Sequence, residues 1–124
     1  MFPGLLSFAR CGVVKGQNIE LRTDNWQQII GQGRPVIVRK YFQGCPYISE
    51  TEESWKEASR MHEHVLFVRA ECLYSTNAKY VCSEIQKGIQ KYYPSETGIR
   101  SPSYVFYDAN AKDLTDIVPK IRYN

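Results

Sequence analysis

No stretch of this sequence approaches the roughly 20 consecutive apolar residues of a membrane-spanning helix, so no transmembrane segment is expected. Charge of one sign is not in excess either. Sixteen lysines and arginines stand against thirteen acids, a net charge of +3. Arg39, Lys40, Arg69 and Arg100 are scattered rather than gathered into a basic face, so no nucleic-acid partner is expected. Histidine is scarce: His62 and His64 are the only two. Their His-x-His spacing is not the i, i+4 ligand pair of a helix, and Cys72 and Cys82 are too far apart for a zinc knuckle, so neither a metal nor a cofactor is expected. Four cysteines, Cys11, Cys45, Cys72 and Cys82, are too few for a disulfide-stapled miniprotein. Internal repeats, low-complexity tracts and linkers are also absent.

What remains is a chain of 124 residues, 43% of them apolar, which suits one domain with one core. Met1 to Ala9 is short and apolar but lacks the leading charge and the roughly 7–15-residue apolar stretch of a signal peptide. Residues 1–18 are therefore read as an N-terminal arm, 19–118 as the domain and 119–124 as a tail.

Within the domain, Ile19-Glu20-Leu21 alternates like a short strand. Thr23 is placed to cap a helix from Asp24, with Trp26, Ile29 and Ile30 on one face, and Gly31, Gly33 and Pro35 end it. Val36 to Phe42 reads as a buried central strand. A second helix is expected from near Cys45 or Ser49, with Trp55, Ala58, Ser59 and His62 on one side and Glu50, Glu52 and Glu53 near its positive end. Val65 to Ala70 is a second core strand, and Asn77 to Tyr92 a helix with Val81, Ile85 and Ile89 spaced by four. Ser103 to Tyr107 is a third strong strand. Asp108 to Lys112 suits a hairpin turn that returns as a strand through Leu114 to Val118. This order implies an α/β fold, a mixed sheet flanked by helices.

From about Ile19 to Val118 the residues resemble the thioredoxin superfamily. A central strand, Val36 to Tyr41, leads through a loop to Cys45 at a helix start. Gly98-Ile99-Arg100-Ser101-Pro102 is similar to the loop that carries the family's cis proline beside its active-site cysteine, and Pro102 holds the matching position. The resemblance implies a thioredoxin-like fold, with departures at the site. The family's Cys-x-x-Cys reads Cys45-Pro46-Tyr47-Ile48, so Ile48 replaces the resolving cysteine. Arg39 replaces the buried acid of the central strand, and Gly44 the tryptophan before the first cysteine. The family's final helix has no counterpart after Val118, which is expected to leave part of one apolar sheet face open unless the N-terminal arm or a partner covers it. Among subfamilies, Cys45-Pro46-Tyr47 resembles the glutaredoxin start, but no Gly-Gly pair follows the proline loop. Cys72 and Cys82 resemble the extra cysteine pair of many protein disulfide isomerase domains. Tyr41-Phe42-Gln43-Gly44 with Pro46 is similar to phosducin-like proteins.

Cys45 at a helix N-terminus is a candidate nucleophile, because terminal amides and the helix dipole favour a thiolate. Without a thiol at position 48 it has no internal route of release, and the other reading is a vestigial cysteine in a retired site. Cys72 and Cys82, with nine residues between them, read either as a disulfide or as two reduced thiols, with the disulfide favoured. A single Cys-x9-Cys spacing is also similar to a mitochondrial intermembrane-space import motif, which comes in pairs. Two functions follow: a non-catalytic interaction subunit of a larger protein assembly, and a monothiol disulfide isomerase-like protein trapping thiols through Cys45. An oxidising compartment is favoured over the cytosol.

Overall fold

The computed structural model describes residues 19–97 and 102–119. In chain order these form β1 (Ile19–Glu20), a 3-10 turn (Trp26–Gln28), β2 (Val36–Tyr41), α1 (Pro46–Met61), β3 (Leu66–Glu71), a 3-10 turn (Thr76–Ala78), α2 (Lys79–Tyr92) and β4 (Ser103–Tyr107). The sheet order is β1-β3-β2-β4. β3 runs parallel to both β1 and β2, whose six residues pair with it from Val36↔Leu66 to Tyr41↔Glu71. β4 runs antiparallel to β2, from Val36↔Tyr107 to Lys40↔Ser103. The sheet is therefore mixed, as the sequence implies.

Strand alternation divides the core into two. Val36, Val38, Val68, Ala70, Val105 and Tyr107 face α2, where Val81, Ile85 and Ile89 meet them. Ile37 and Phe67 face α1 and pack around the buried Trp55, with Tyr104 and Phe106 beside them. Trp55 meets Phe67 edge-on at 5.0 Å between ring centres. No helix among the described residues is long and apolar enough to cross a membrane.

Three expectations need correction. The helix from Asp24 shrinks to the single turn Trp26–Gln28. Asn25 ties the segment back to β1, accepting from the Arg22 amide at 2.7 Å and donating to the Glu20 carbonyl at 2.9 Å. At the far end Gly31 has φ +76°, and a β-carbon there would collide with the Ala111 carbonyl, so the chain leaves helical geometry at once. The returning strand, Leu114 to Val118, does not form either. One ladder bond survives among the described residues, from the Val118 amide to the Phe106 carbonyl at 2.9 Å. Local bonds compete with the ladder: Thr115 N–H donates to Asp113 Oδ1 at 3.1 Å and Lys112 N–H to Asp116 Oδ2 at 3.0 Å. The segment instead drops Leu114 and Ile117 into the core, and the Tyr107 hydroxyl donates to the Leu114 carbonyl at 2.7 Å.

The third correction concerns the open sheet face. No helix follows β4 among the described residues. Yet the apolar residues expected beside that gap are buried, Leu114 at 0% exposure and Ile117 at 4%. On the α1 side, beyond Trp55, the sheet surface is polar. Arg69 Nε donates to Glu20 at 3.2 Å, the Tyr41 hydroxyl donates to the same carboxylate at 3.2 Å, and the Arg69 guanidinium lies 5.7 Å from the centre of the Tyr41 ring. Burial raises the Glu20 pKa despite the nearby Arg69. Burial and the Glu20 charge push the Tyr41 hydroxyl up to about 12.

Gly88 lets α2 touch the 113–118 segment. A β-carbon at position 88 would stand 2.7 Å from the Thr115 carbonyl oxygen and 2.9 Å from its Cα. Gly88→Ala therefore sets a helix-propensity gain of about 1 kcal/mol against a backbone collision. We expect the collision to win, with a net loss of roughly 1–3 kcal/mol read from urea unfolding.

Candidate functional site around Cys45

β2 and β3 both point their C-terminal ends at the loops that build the candidate site, and β4 begins at the same end. The turn Phe42-Gln43-Gly44-Cys45 closes with the Cys45 amide donating to the Phe42 carbonyl at 3.1 Å. Gly44 sits at φ +90°, which a tryptophan would adopt only under strain. Glycine at this position is thus a demand of the turn. Cys45 then caps α1 with extended dihedrals, φ −74° and ψ 127°, and Pro46 follows at the first helical position, where its missing N–H costs nothing. Cys45 is half-buried, and the disulfide among the described residues joins two other cysteines, Cys72 and Cys82. Acids are absent from the first turn of α1, so Glu50, Glu52 and Glu53 lie further along the helix than the dipole argument places them.

Arg39 occupies the interior beneath this helix. It is 1% exposed, the largest fully buried side chain among the described residues. A guanidinium this dry must be paired. Nη1 donates to Glu52 Oε1 at 2.8 Å. Nη2 donates to the Ile48 carbonyl at 2.9 Å and to Thr51 Oγ1 at 2.6 Å. Its Cζ lies 5.5 Å from the centre of the Trp55 ring, a cation–π contact. The hydrogen bond from Arg39 holds the Glu52 carboxyl below its ordinary pKa. So Arg39 grips the backbone of Ile48, the residue expected to stand in place of a resolving cysteine, and fastens the first two turns of α1 to β2. Arg39 Nε and Trp55 Nε1 find no acceptor among the described residues.

A second anchor comes from Glu71, at the end of β3 and 5% exposed. Oε1 accepts from the Tyr74 and Ser75 amides, each at 2.7 Å. Oε2 accepts from the Gln43 amide at 3.0 Å and the Leu73 amide at 3.3 Å. Burial pushes this carboxyl up, but the four backbone donors outweigh it and hold the pKa below the ordinary value. Cys72 follows directly and is joined to Cys82 in α2 by a disulfide, with Cα atoms 5.7 Å apart. The bridged loop carries Leu73, Tyr74 and Tyr80, exposed at 49%, 68% and 48%. Tyr47, on the first turn of α1, is 57% exposed.

The remaining candidates fall as follows. Pro102 is half-buried, one residue before β4, at the end of the sheet that also bears the Cys45 turn. The Ser101–Pro102 bond expected to be cis involves Ser101, which lies outside the described residues, as do Arg100 and Cys11. Lys40 is buried on the α2 side, where burial lowers its pKa and Glu96 partly offsets that. His62 and His64 stand 6.2 Å apart between ring centres, and no group of metal-ligating side chains occurs among the described residues. Sequence reasoning missed Glu71 altogether, and it took Glu52 for a helix-dipole charge. The available signal for Glu71 was an acid at a strand end, followed by a turn with amides to spare.

No protein-family model matches the sequence, and no curated protein matches it. Solved structures do. The fold is similar to a thioredoxin f2 bound to ferredoxin:thioredoxin reductase, at 21% identity and TM-score 0.59, covering 83% of this chain and 79% of that one. Thioredoxin f from spinach chloroplast gives 17% identity and TM-score 0.61, over 87% and 76% of the two chains. The thioredoxin of Fasciola hepatica gives 14% and 0.55, over 85% and 86%. The chain has the thioredoxin-like fold.

Two predictions follow from the anchors. Glu52→Ala strands the Arg39 guanidinium and lowers the unfolding free energy by roughly 3 kcal/mol. Glu53→Ala next door removes only a surface pair with Lys56 at 4.0 Å and costs under about 0.5 kcal/mol. Urea unfolding of both variants checks the contrast. Glu71→Gln costs on the order of 2 kcal/mol at neutral pH. The Glu71 carboxyl is depressed in the fold, so its contribution is complete above the unfolded value near 4.3 and is lost as pH falls through the folded value. The stability gap between wild type and Glu71→Gln therefore narrows on acidification from pH 7 to pH 3.

Proposed function

We propose that this chain is a non-catalytic thioredoxin-fold subunit that works by holding a protein partner within a larger assembly. The observation that carries this reading is the buried Arg39 bonded to Glu52, Ile48 and Thr51. A dithiol oxidoreductase of this fold needs a second thiol at position 48 and a proton acceptor beneath it. Here an isoleucine and a pinned cation hold those places, which supports structural service over turnover. The exposed Tyr47, Leu73, Tyr74 and Tyr80 add aromatic surface of the kind enriched at interfaces. One neighbour in fold is itself seen bound to a protein, its reductase.

The second reading is a monothiol protein that traps client thiols through Cys45. It draws on the half-buried thiol at the α1 cap. The Cys72–Cys82 bridge supports an oxidising compartment for either reading.

Insulin reduction and native size-exclusion chromatography separate the two. We expect no insulin turnover, and elution from native extract well above 14.4 kDa that is unchanged by Cys45→Ser. Elution of the chain alone, with a stable mixed disulfide at Cys45 that the serine variant loses, would replace the first reading with the second.

A further inference from the structure

We propose that the Cys72–Cys82 disulfide is a redox-responsive latch on the Cys45 turn, acting through the Glu71 carboxylate. The four donors to Glu71 come from two different loops. Leu73, Tyr74 and Ser75 belong to the loop that the disulfide closes, whereas Gln43 belongs to the turn that presents Cys45. One buried carboxylate thus joins two loops, reaching in Gln43 a residue 28 positions away from it in sequence. Its position depends on the bridged loop, which supplies three of the four bonds.

The bridge fixes both ends of that loop. Cys72 extends β3, its amide donating to the Tyr41 carbonyl at 2.9 Å, and Cys82 lies in the first turn of α2. Between them the Ser75 hydroxyl caps the Thr76–Ala78 turn by accepting from the Ala78 amide at 3.2 Å. Reduction by a dithiol passes two electrons and two protons to the bridge, giving two thiols here and a cyclic disulfide on the reagent. The loop then regains the conformational freedom that its closure removed. Each loop amide that turns away leaves the buried carboxylate short of a donor, and a carboxylate short of donors moves toward water. Gln43 then loses its acceptor. Gln43 is the second residue of the Phe42–Cys45 turn, so the loss loosens the segment that sets how far Cys45 is covered. The coupling is cooperative, because the four donors share one acceptor group.

The test reads Cys45 in the isolated full chain, so it stands or falls separately from any partner search. In a Cys11→Ser background, iodoacetamide alkylation of Cys45 is followed by peptide mass spectrometry. One ordinary hydrogen bond corresponds to a factor of roughly five in the opening equilibrium. We expect Cys45 to react roughly fivefold faster in the Cys72→Ser/Cys82→Ser variant than in the oxidised chain, as one lost bond implies. Glu71→Gln in the oxidised chain should accelerate it to the same degree, and the triple combination should add nothing further. Equal rates with and without the bridge overturn the latch, and so does full additivity of the two changes. If a variant does not fold, amide exchange of the unsubstituted chain decides the matter, compared between oxidised and dithiothreitol-reduced protein. Faster exchange at Gln43 together with Leu73 to Ser75 upholds the proposal. Faster exchange confined to the loop, with Gln43 still protected, overturns it.

Discussion

A guanidinium buried in the central strand of a small sheet sets the terms for everything around it. Arg39 cannot be left unpaired in that interior, and its length carries the charge to α1 instead of leaving it at the strand. The helix must then offer acceptors where the fork arrives, and it does so with the carboxylate of Glu52, the hydroxyl of Thr51 and the carbonyl of Ile48. A helix held this way at its start cannot slide or tilt without breaking charged bonds. The α1 side of the core needs few apolar residues as a result. Its buried apolar members among the described residues are Ile37, Trp55 and Phe67.

On the other face the balance is reversed. There α2 and the 113–118 segment close over a larger apolar cluster that includes Leu21, Leu114 and Ile117. Polar side chains do their work at the margins, in Asn25 tying the first turn to β1 and Tyr107 reaching the Leu114 carbonyl. The half of the α1 face that no helix among the described residues covers carries Glu20, Arg69 and Tyr41. Charges that satisfy one another make that surface compatible with water, so the sheet does not depend on an apolar cover there.

Much of this frame was legible in the residues. β-branched and aromatic content marks Val36 to Phe42, Val65 to Ala70 and Ser103 to Tyr107, within a residue of the strands found, and the helix expected from near Cys45 or Ser49 starts at Pro46. The four-residue spacing of Val81, Ile85 and Ile89 identifies the buried side of α2. The failures have a common physical origin. The 3-10 turn at Trp26 and the irregular path of Leu114 to Val118 are set by close backbone approaches, Gly31 to Ala111 and Gly88 to Thr115, which no periodicity encodes. Glu71 is bound by amides whose convergence depends on two loops folding together. Arg39 was visible as an oddity in an apolar strand, but its partners lie nine to thirteen residues on, across a turn.

The register of the sheet places Arg39 directly beside Arg69, with Glu52 serving the first and Glu20 the second. Two adjacent cations, each neutralised from a different element, make a closed charge account that constrains how this sequence can change. A route by single substitutions to a dithiol site would have to place an acid at position 39, facing Glu52 across a dry interior. It would also leave the Ile48 carbonyl without the Arg39 donor. The arginine therefore ties position 39 to Ile48, Thr51 and Glu52, and a change at any one of the four alters what the others can tolerate.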